Sequence, residues 1–64
     1  MNNKIREYRK KYGLSQEELA DKSDVSRSII SYLETGKQIS VTSNTMKKIS
    51  SVFNVKPSKI FLDF

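Results

Sequence analysis

Leu14-Ser15-Gln16-Glu17-Glu18-Leu19-Ala20, followed after a short gap by Val25-Ser26-Arg27-Ser28-Ile29-Ile30-Ser31-Tyr32-Leu33-Glu34-Thr35-Gly36-Lys37, is the stretch that decides the fold. It reads as two short helices joined by a turn too tight for them to lie antiparallel. Ser15 is placed to N-cap the first helix, and Glu18 three residues on closes a capping box. Ser26 caps the second, and Gly36 supplies the left-handed residue that stops it. The link Ser23-Asp24-Val25 is rich in turn formers, and Asp24 is one of the few non-glycine residues that tolerates positive φ. The geometry implied is helix-turn-helix.

Upstream, a first helix is expected over residues 3–12, capped by Asn2 or Asn3 and stopped by Gly13. Its inner stripe is Ile5, Tyr8, Arg9 and Tyr12, at three- and four-residue steps. Helix two spans about 16–22 with Leu19 and Ala20 inward. Helix three spans about 27–35 with Ile30 and Leu33 inward, and Val25 plugs the turn. Gln38 to Thr42 reads as a loop, with Ile39 and Val41 hinting at a short extended piece. Helix four follows over about 44–53, capped by Thr42 or Ser43, with Met46, Ile49, Ser50 and Phe53 on its inner face. Asn54 is a left-handed stop, Val55 tucks in, and Pro57 opens a short fifth helix that carries Ile60 and Phe61 and runs to Phe64. The expectation is one compact all-α domain of five helices over residues 1–64.

The 64 residues include twelve Lys and Arg against seven Asp and Glu, a net charge of +5. That balance favours a polyanionic partner, nucleic acid first and an acidic membrane surface second. Cysteine and histidine are both absent. Disulfides and thiolate metal sites are therefore excluded, and so are the commonest general base and the commonest zinc ligand. Without a glycine-rich phosphate loop or a carboxylate pair in a pocket, the reading is no enzyme, no metal, no cofactor and no small-molecule ligand. The longest apolar run, Ile60-Phe61-Leu62, is far too short to span a membrane, so a cytoplasmic protein is expected.

With Ile30 and Leu33 turned inward, helix three offers Arg27, Ser28, Ser31 and Tyr32 outward, with Ile29 to one side. In a DNA major groove Arg27 could fork onto guanine O6 and N7, and the serines could bond either base type. Tyr32 either reaches a base edge, a thymine methyl or a phosphate, or packs on its neighbours. Ile29 either meets a thymine methyl or falls partly in the core. Phosphate contacts are expected from Gln16, Ser26, Thr35, Lys37 and Lys10, the last of these either near the duplex or simply solvated. Arg9 and Glu34 sit at the edges of two apolar stripes, where a partly buried ion pair would fix the orientation of the reading helix.

Arg9, Gly13-Leu14-Ser15-Gln16-Glu17-Glu18-Leu19-Ala20, Val25-Ser26, Ile30, Leu33-Glu34, Gly36-Lys37, Ile49, Phe53-Asn54-Val55 and Ile60-Phe61 together resemble the Cro/C1-type (XRE) helix-turn-helix family of phage and bacterial repressors. The resemblance runs from Ile5 to Phe61 without a gap in the reading unit. It implies a five-helix lambda-repressor-like domain, a phosphate contact at Gln16, base readers at Arg27, Ser28 and Tyr32, and the Arg9–Glu34 pair. Four positions depart from the family pattern: Asp24 and Asn54 stand where glycine is usual, Ser50 where alanine is, and Lys56 where serine or threonine often caps. Stand-alone members of this size resemble phage Cro-like repressors. They imply a homodimer on a near-palindromic double-stranded operator, acting in the cytoplasm at the nucleoid. The tail Phe61-Leu62-Asp63-Phe64 is unusually apolar: either one face completes the core and the rest of Phe61, Leu62 and Phe64 is buried in a dimer contact, or all of it folds back onto helix five. The alternative on the same fold is an antitoxin- or antirepressor-type module that binds another protein.

Overall fold

The computed structural model describes residues 3–36 and 41–62, in which five helices follow one another: α1 (Ile5–Lys11), α2 (Gln16–Ser23), α3 (Arg27–Glu34), α4 (Ser43–Val52) and α5 (Pro57–Ile60). Three of them end by the same device. Gly13, Asp24 and Asn54 take left-handed φ values of 69°, 59° and 55° after α1, α2 and α4. The next residue in each case is apolar, and its amide reaches back into the helix just left: Leu14 to the Arg9 carbonyl at 2.9 Å, Val25 to Ala20 at 3.3 Å, Val55 to Ser50 at 3.3 Å. Each stop thereby satisfies an orphan carbonyl and turns an apolar side chain back onto the core.

The starts are equally local. Ser15 and Glu18 form the full capping box, with Ser15 Oγ accepting the Glu18 amide at 3.0 Å and Glu18 Oε1 accepting the Ser15 amide at 2.9 Å. The bond from the Ser15 amide holds the Glu18 carboxyl below its usual pKa. Ser26 caps α3 through the Ile29 amide, and Thr42, rather than Ser43, caps α4 through the Thr45 amide. Pro57 opens α5 and Lys56 makes no side-chain cap there.

Among the described residues nine buried side chains form the core: Ile5, Leu19, Val25, Ile30, Leu33, Ile49, Phe53, Ile60 and Phe61. Tyr8, Leu14, Ala20, Ile29, Val41, Met46, Val52 and Val55 pack against it half-buried. Ser23 and Ser50 are buried among them, and each hydroxyl donates to the carbonyl four residues back, Leu19 at 2.7 Å and Met46 at 2.8 Å. A buried hydroxyl satisfied by its own helix adds no unmet polar group to the core.

The structure corrects several expectations. Ser23 is the last residue of α2 and buried, not part of the turn. α1 begins at Ile5, with Lys4 at the cap position and no side-chain bond from it. Asn3 caps from one residue further out, its Oδ1 accepting the Ile5 amide at 3.1 Å while its Nδ2 donates to the Leu33 carbonyl at 3.0 Å. α5 does not run to Phe64. It ends at Ile60, and Phe61 turns extended to form an antiparallel bridge with Asn3, beside a 2.8 Å bond from the Lys4 amide to the Ile60 carbonyl. The helix is closed by the Phe61 amide on the Pro57 carbonyl, and the backbone bridge then takes over. Tyr12 stands half exposed, with its ring against Phe53. Asn2, Lys37, Gln38, Ile39, Ser40 and Phe64 lie outside the described residues.

Asp24 permits a direct test of the turn. A left-handed L-residue carries a cost of roughly 1–2 kcal/mol that glycine escapes, less for Asp than for most. Glycine returns about 0.5–1 kcal/mol of that as chain entropy. Asp24→Gly is expected to raise the thermal midpoint by a few degrees, on the scale of about 4–8 °C per kcal/mol for so small a domain. Asp24→Ala is expected to lower it. Equal midpoints for the two variants would assign the effect to the lost charge instead of the backbone.

Candidate nucleic-acid interface

The orientation of α3 is set at its far end by a hydrogen-bonded node. Arg9 Nε donates to Glu34 Oε2 at 2.8 Å and Nη2 donates to Oε1 at 2.9 Å, a fork-on-fork pair. Nη1 of the same guanidinium donates to the Leu14 carbonyl at 2.8 Å. One side chain of α1 thus grips the connection into α2 and the last residue of α3. Both partners are largely withdrawn from water, with side chains 14 % and 4 % exposed. Burial on its own pushes the Glu34 carboxyl up, but the hydrogen bonds from Arg9 and Gln16 and the nearby charges of Arg9 and Arg6 outweigh it and leave the pKa lowered.

Held this way, α3 buries Ile30 and Leu33 and turns Arg27, Ser28, Ser31 and Tyr32 to one open hollow of about 250 Å³. Arg27 and Ser28 are exposed, Ser31 is half-buried, and Tyr32 is 42 % exposed. The face offers one guanidinium and three hydroxyls, all groups that bond base edges. Ile29 is not on it: the side chain packs half-buried against the core, which fills the role left open for it.

The expected phosphate contacts divide on inspection. Ser26 is exposed, and because its Oγ accepts the Ile29 amide its own hydrogen stays available to an anion. Lys10 is exposed on α1. Thr35 is exposed, with its hydroxyl donating to the Tyr32 carbonyl at 3.1 Å and its amide to the Ser31 carbonyl at 3.0 Å. Gln16 is half-buried and its Nε2 donates to Glu34 Oε1 at 3.2 Å. That bond, the Arg9 bond to Leu14 and the Asn3 bond to Leu33 escaped the sequence reading, which carries no signal for side-chain direction. In the apolar tail Phe61 is 1 % exposed and is the part that completes the core, whereas Leu62 is 48 % exposed.

The net positive charge is unevenly distributed along the chain. Residues 14–36 carry Glu17, Glu18, Asp21, Asp24 and Glu34 against only Lys22 and Arg27. Glu17, Asp21 and Asp24 share an open hollow with Arg27 at the turn. The excess of positive charge lies on either side, on Lys4, Arg6, Lys10 and Lys11 around α1 and on Lys47, Lys48, Lys56 and Lys59 in α4 and α5, all exposed. Among the described residues no His, Cys, Asp or Glu cluster could hold a metal ion, and no helix is long and apolar enough to cross a membrane.

A family model described as Helix-turn-helix matches residues 5–60, taking in all five helices and the node. The chain belongs to the Cro/C1-type helix-turn-helix family. Members of this helix-turn-helix family bind DNA and are not enzymes. Two relatives from Archaeoglobus fulgidus are each an uncharacterized HTH-type transcriptional regulator. One is 44% identical over 62 residues, covering 97% of this chain and 87% of the relative. The other is 40% identical over 62 residues, covering 97% and 86%. No solved structure matches the chain significantly. Within this helix-turn-helix protein, then, α2 and α3 are the motif, and the node tying α3 to α1 is what gives the motif a fixed angle.

Proposed function

We propose that the protein is a sequence-specific transcriptional repressor that binds a near-palindromic operator in double-stranded DNA as a homodimer, in the cytoplasm at the nucleoid. The observation that carries this reading is the exposed face of α3, where Arg27, Ser28, Ser31 and Tyr32 meet on a helix locked to α1 through Glu34. In the major groove Arg27 takes guanine, the serines and Tyr32 take neighbouring base edges, and Gln16, Ser26 and Lys10 meet phosphates. Lys37, outside the described residues, is proposed with them. Leu62, exposed beside the buried Phe61, is the apolar group proposed for the contact between copies, with Phe64 beyond it.

Selection of duplexes from a random pool, followed by electrophoretic titration, tests the reading. Recovery of a two-fold symmetric site with half-sites about one helical turn apart is expected. If a dimer neutralises on the order of six to eight phosphates, log affinity falls against log salt with a slope of about −5 to −7. Equal affinity for scrambled duplex would reject the sequence-specific part. On the selected site, Arg27→Ala is expected to cost about 1–3 kcal/mol and to relax one base position per half-site. A loss that is uniform across sequences would make Arg27 a phosphate contact instead.

A further inference from the structure

Gln16 stands at the first turn of α2, half-buried, and its amide is tied to the far end of α3. Nε2 donates to Glu34 Oε1 at 3.2 Å, the oxygen that also accepts Arg9 Nη2 at 2.9 Å. A carboxylate can only accept, so the Gln16 nitrogen and not its carbonyl must face it, and the flip of the amide is decided. With one hydrogen engaged, the direction of the second is fixed as well.

We propose that Glu34 is a positioning residue for DNA: it orders the Gln16 amide so that the remaining N–H is aimed at a backbone phosphate before the duplex arrives. The inference rests on the DNA-binding reading and adds a dependence that reading lacks, since it makes a phosphate contact conditional on an internal ion pair. A free glutamine side chain would lose its rotamer freedom on binding, and here that ordering is already complete in the folded protein. The same carboxylate therefore holds the angle of α3 through Arg9 and the reach of α2 through Gln16. Both ends of the motif are set by one group.

Gln16→Met keeps the length of the side chain and leaves Arg9–Glu34 intact while removing the amide. On the duplex selected by the wild-type protein it is expected to bind about tenfold more weakly, in line with the loss of one hydrogen bond to a charged group. The slope of log affinity against log salt should not change, because a neutral donor releases no counterion. Glu34→Gln, which also loosens Arg9, should weaken binding in both backgrounds but clearly more in the wild-type background than once Gln16 is Met, whereas equal effects in the two would leave Glu34 a merely structural role and overturn the proposal. Should Glu34→Gln fail to fold, nitrogen relaxation of the Gln16 side-chain amide in the unaltered protein decides. An ordered amide in the free protein, with one of its two protons shifting on addition of the duplex, supports the proposal. An amide that is mobile until DNA is added overturns it. Wild-type affinity in Gln16→Met also overturns it while leaving the DNA-binding reading standing, whereas failure of the wild-type protein to retain any duplex removes that reading itself.

Discussion

Arg9→Ala is expected to leave the protein largely unfolded at room temperature, as read by far-ultraviolet circular dichroism. A single core of this size supports roughly 3–5 kcal/mol of net stability. Removing one partner of a buried, hydrogen-bonded ion pair typically costs about 3–5 kcal/mol, because the other charge remains buried and unmatched. Glu34, with its side chain 4 % exposed, would be that charge, and the Leu14 carbonyl would lose its donor too. The two magnitudes are equal, so the loss is decisive. Joint replacement, Arg9→Met with Glu34→Leu, removes both charges and is expected to restore a folded, cooperative protein. A single Arg9→Ala variant that melts within a few degrees of wild type would show that the node is solvated and contributes little.

The same node sets the response to acid. Burial pushes the Glu34 carboxyl up, but the hydrogen bonds from Arg9 and Gln16 and the nearby guanidinium charges leave it below its ordinary, unfolded value, so the folded state holds this proton less tightly than the unfolded chain. Its stabilising contribution is therefore fully present above that unfolded value and is lost as the pH falls through the folded one. A midpoint that falls on acidification in the wild-type protein, and falls less steeply in the doubly apolar variant, is the expected result.

Phe53→Ala is the second large effect. Phe53 is buried at the end of α4, with the ring of Tyr8 at a centroid distance of 5.6 Å and 47° and the ring of Tyr12 at 5.1 Å and 59°. The Tyr12 hydroxyl also lies 3.4 Å from the Phe53 carbonyl. Truncating a buried phenylalanine costs about 3–5 kcal/mol in lost transfer energy and cavity, again the whole stability of such a domain. The near-ultraviolet dichroism of the tyrosines should collapse together with the far-ultraviolet signal, since both rings lose their wall at once. Phe53→Leu, which keeps most of the volume, should fold with a lowered midpoint. A loss under about 1 kcal/mol for the alanine variant would mean that the site refills by collapse.

What could be read from the residues was whatever depends on near neighbours. Ser15 with Glu18, Ser26, Thr42, Asp24, Asn54 and Pro57 act within a few positions of themselves, so their meaning is carried by spacing. The Arg9–Glu34 pair was also accessible, because two charges at the edges of two apolar stripes must meet when the stripes do. Harder cases depended on side-chain direction after packing. Asn3 reaching Leu33, Gln16 reaching Glu34 and Thr35 turning back on Tyr32 are choices among rotamers that the folded neighbours make. Ile60-Phe61-Leu62 illustrates a different limit, since a short apolar run fits a helix end and an extended segment equally. The backbone partner at Asn3 decides it, and nothing near Phe61 in the sequence announces that partner.

The bridge between Asn3 and Phe61 brings the two ends of the described structure together. Residues from opposite ends of the described structure already share a hydrogen bond, so a short peptide joining them would close a ring with little displacement. Cutting that ring between Gly36 and Val41 would yield a permuted chain in the order α4, α5, α1, α2, α3. The node of Arg9, Glu34 and Gln16 lies wholly within α1 to α3 and would survive the cut, as would the bond from Asn3 to Leu33. The order in which the helices are strung is thus separable from the way they pack, and the motif could be moved to the end of a chain without losing the contacts that hold its angle.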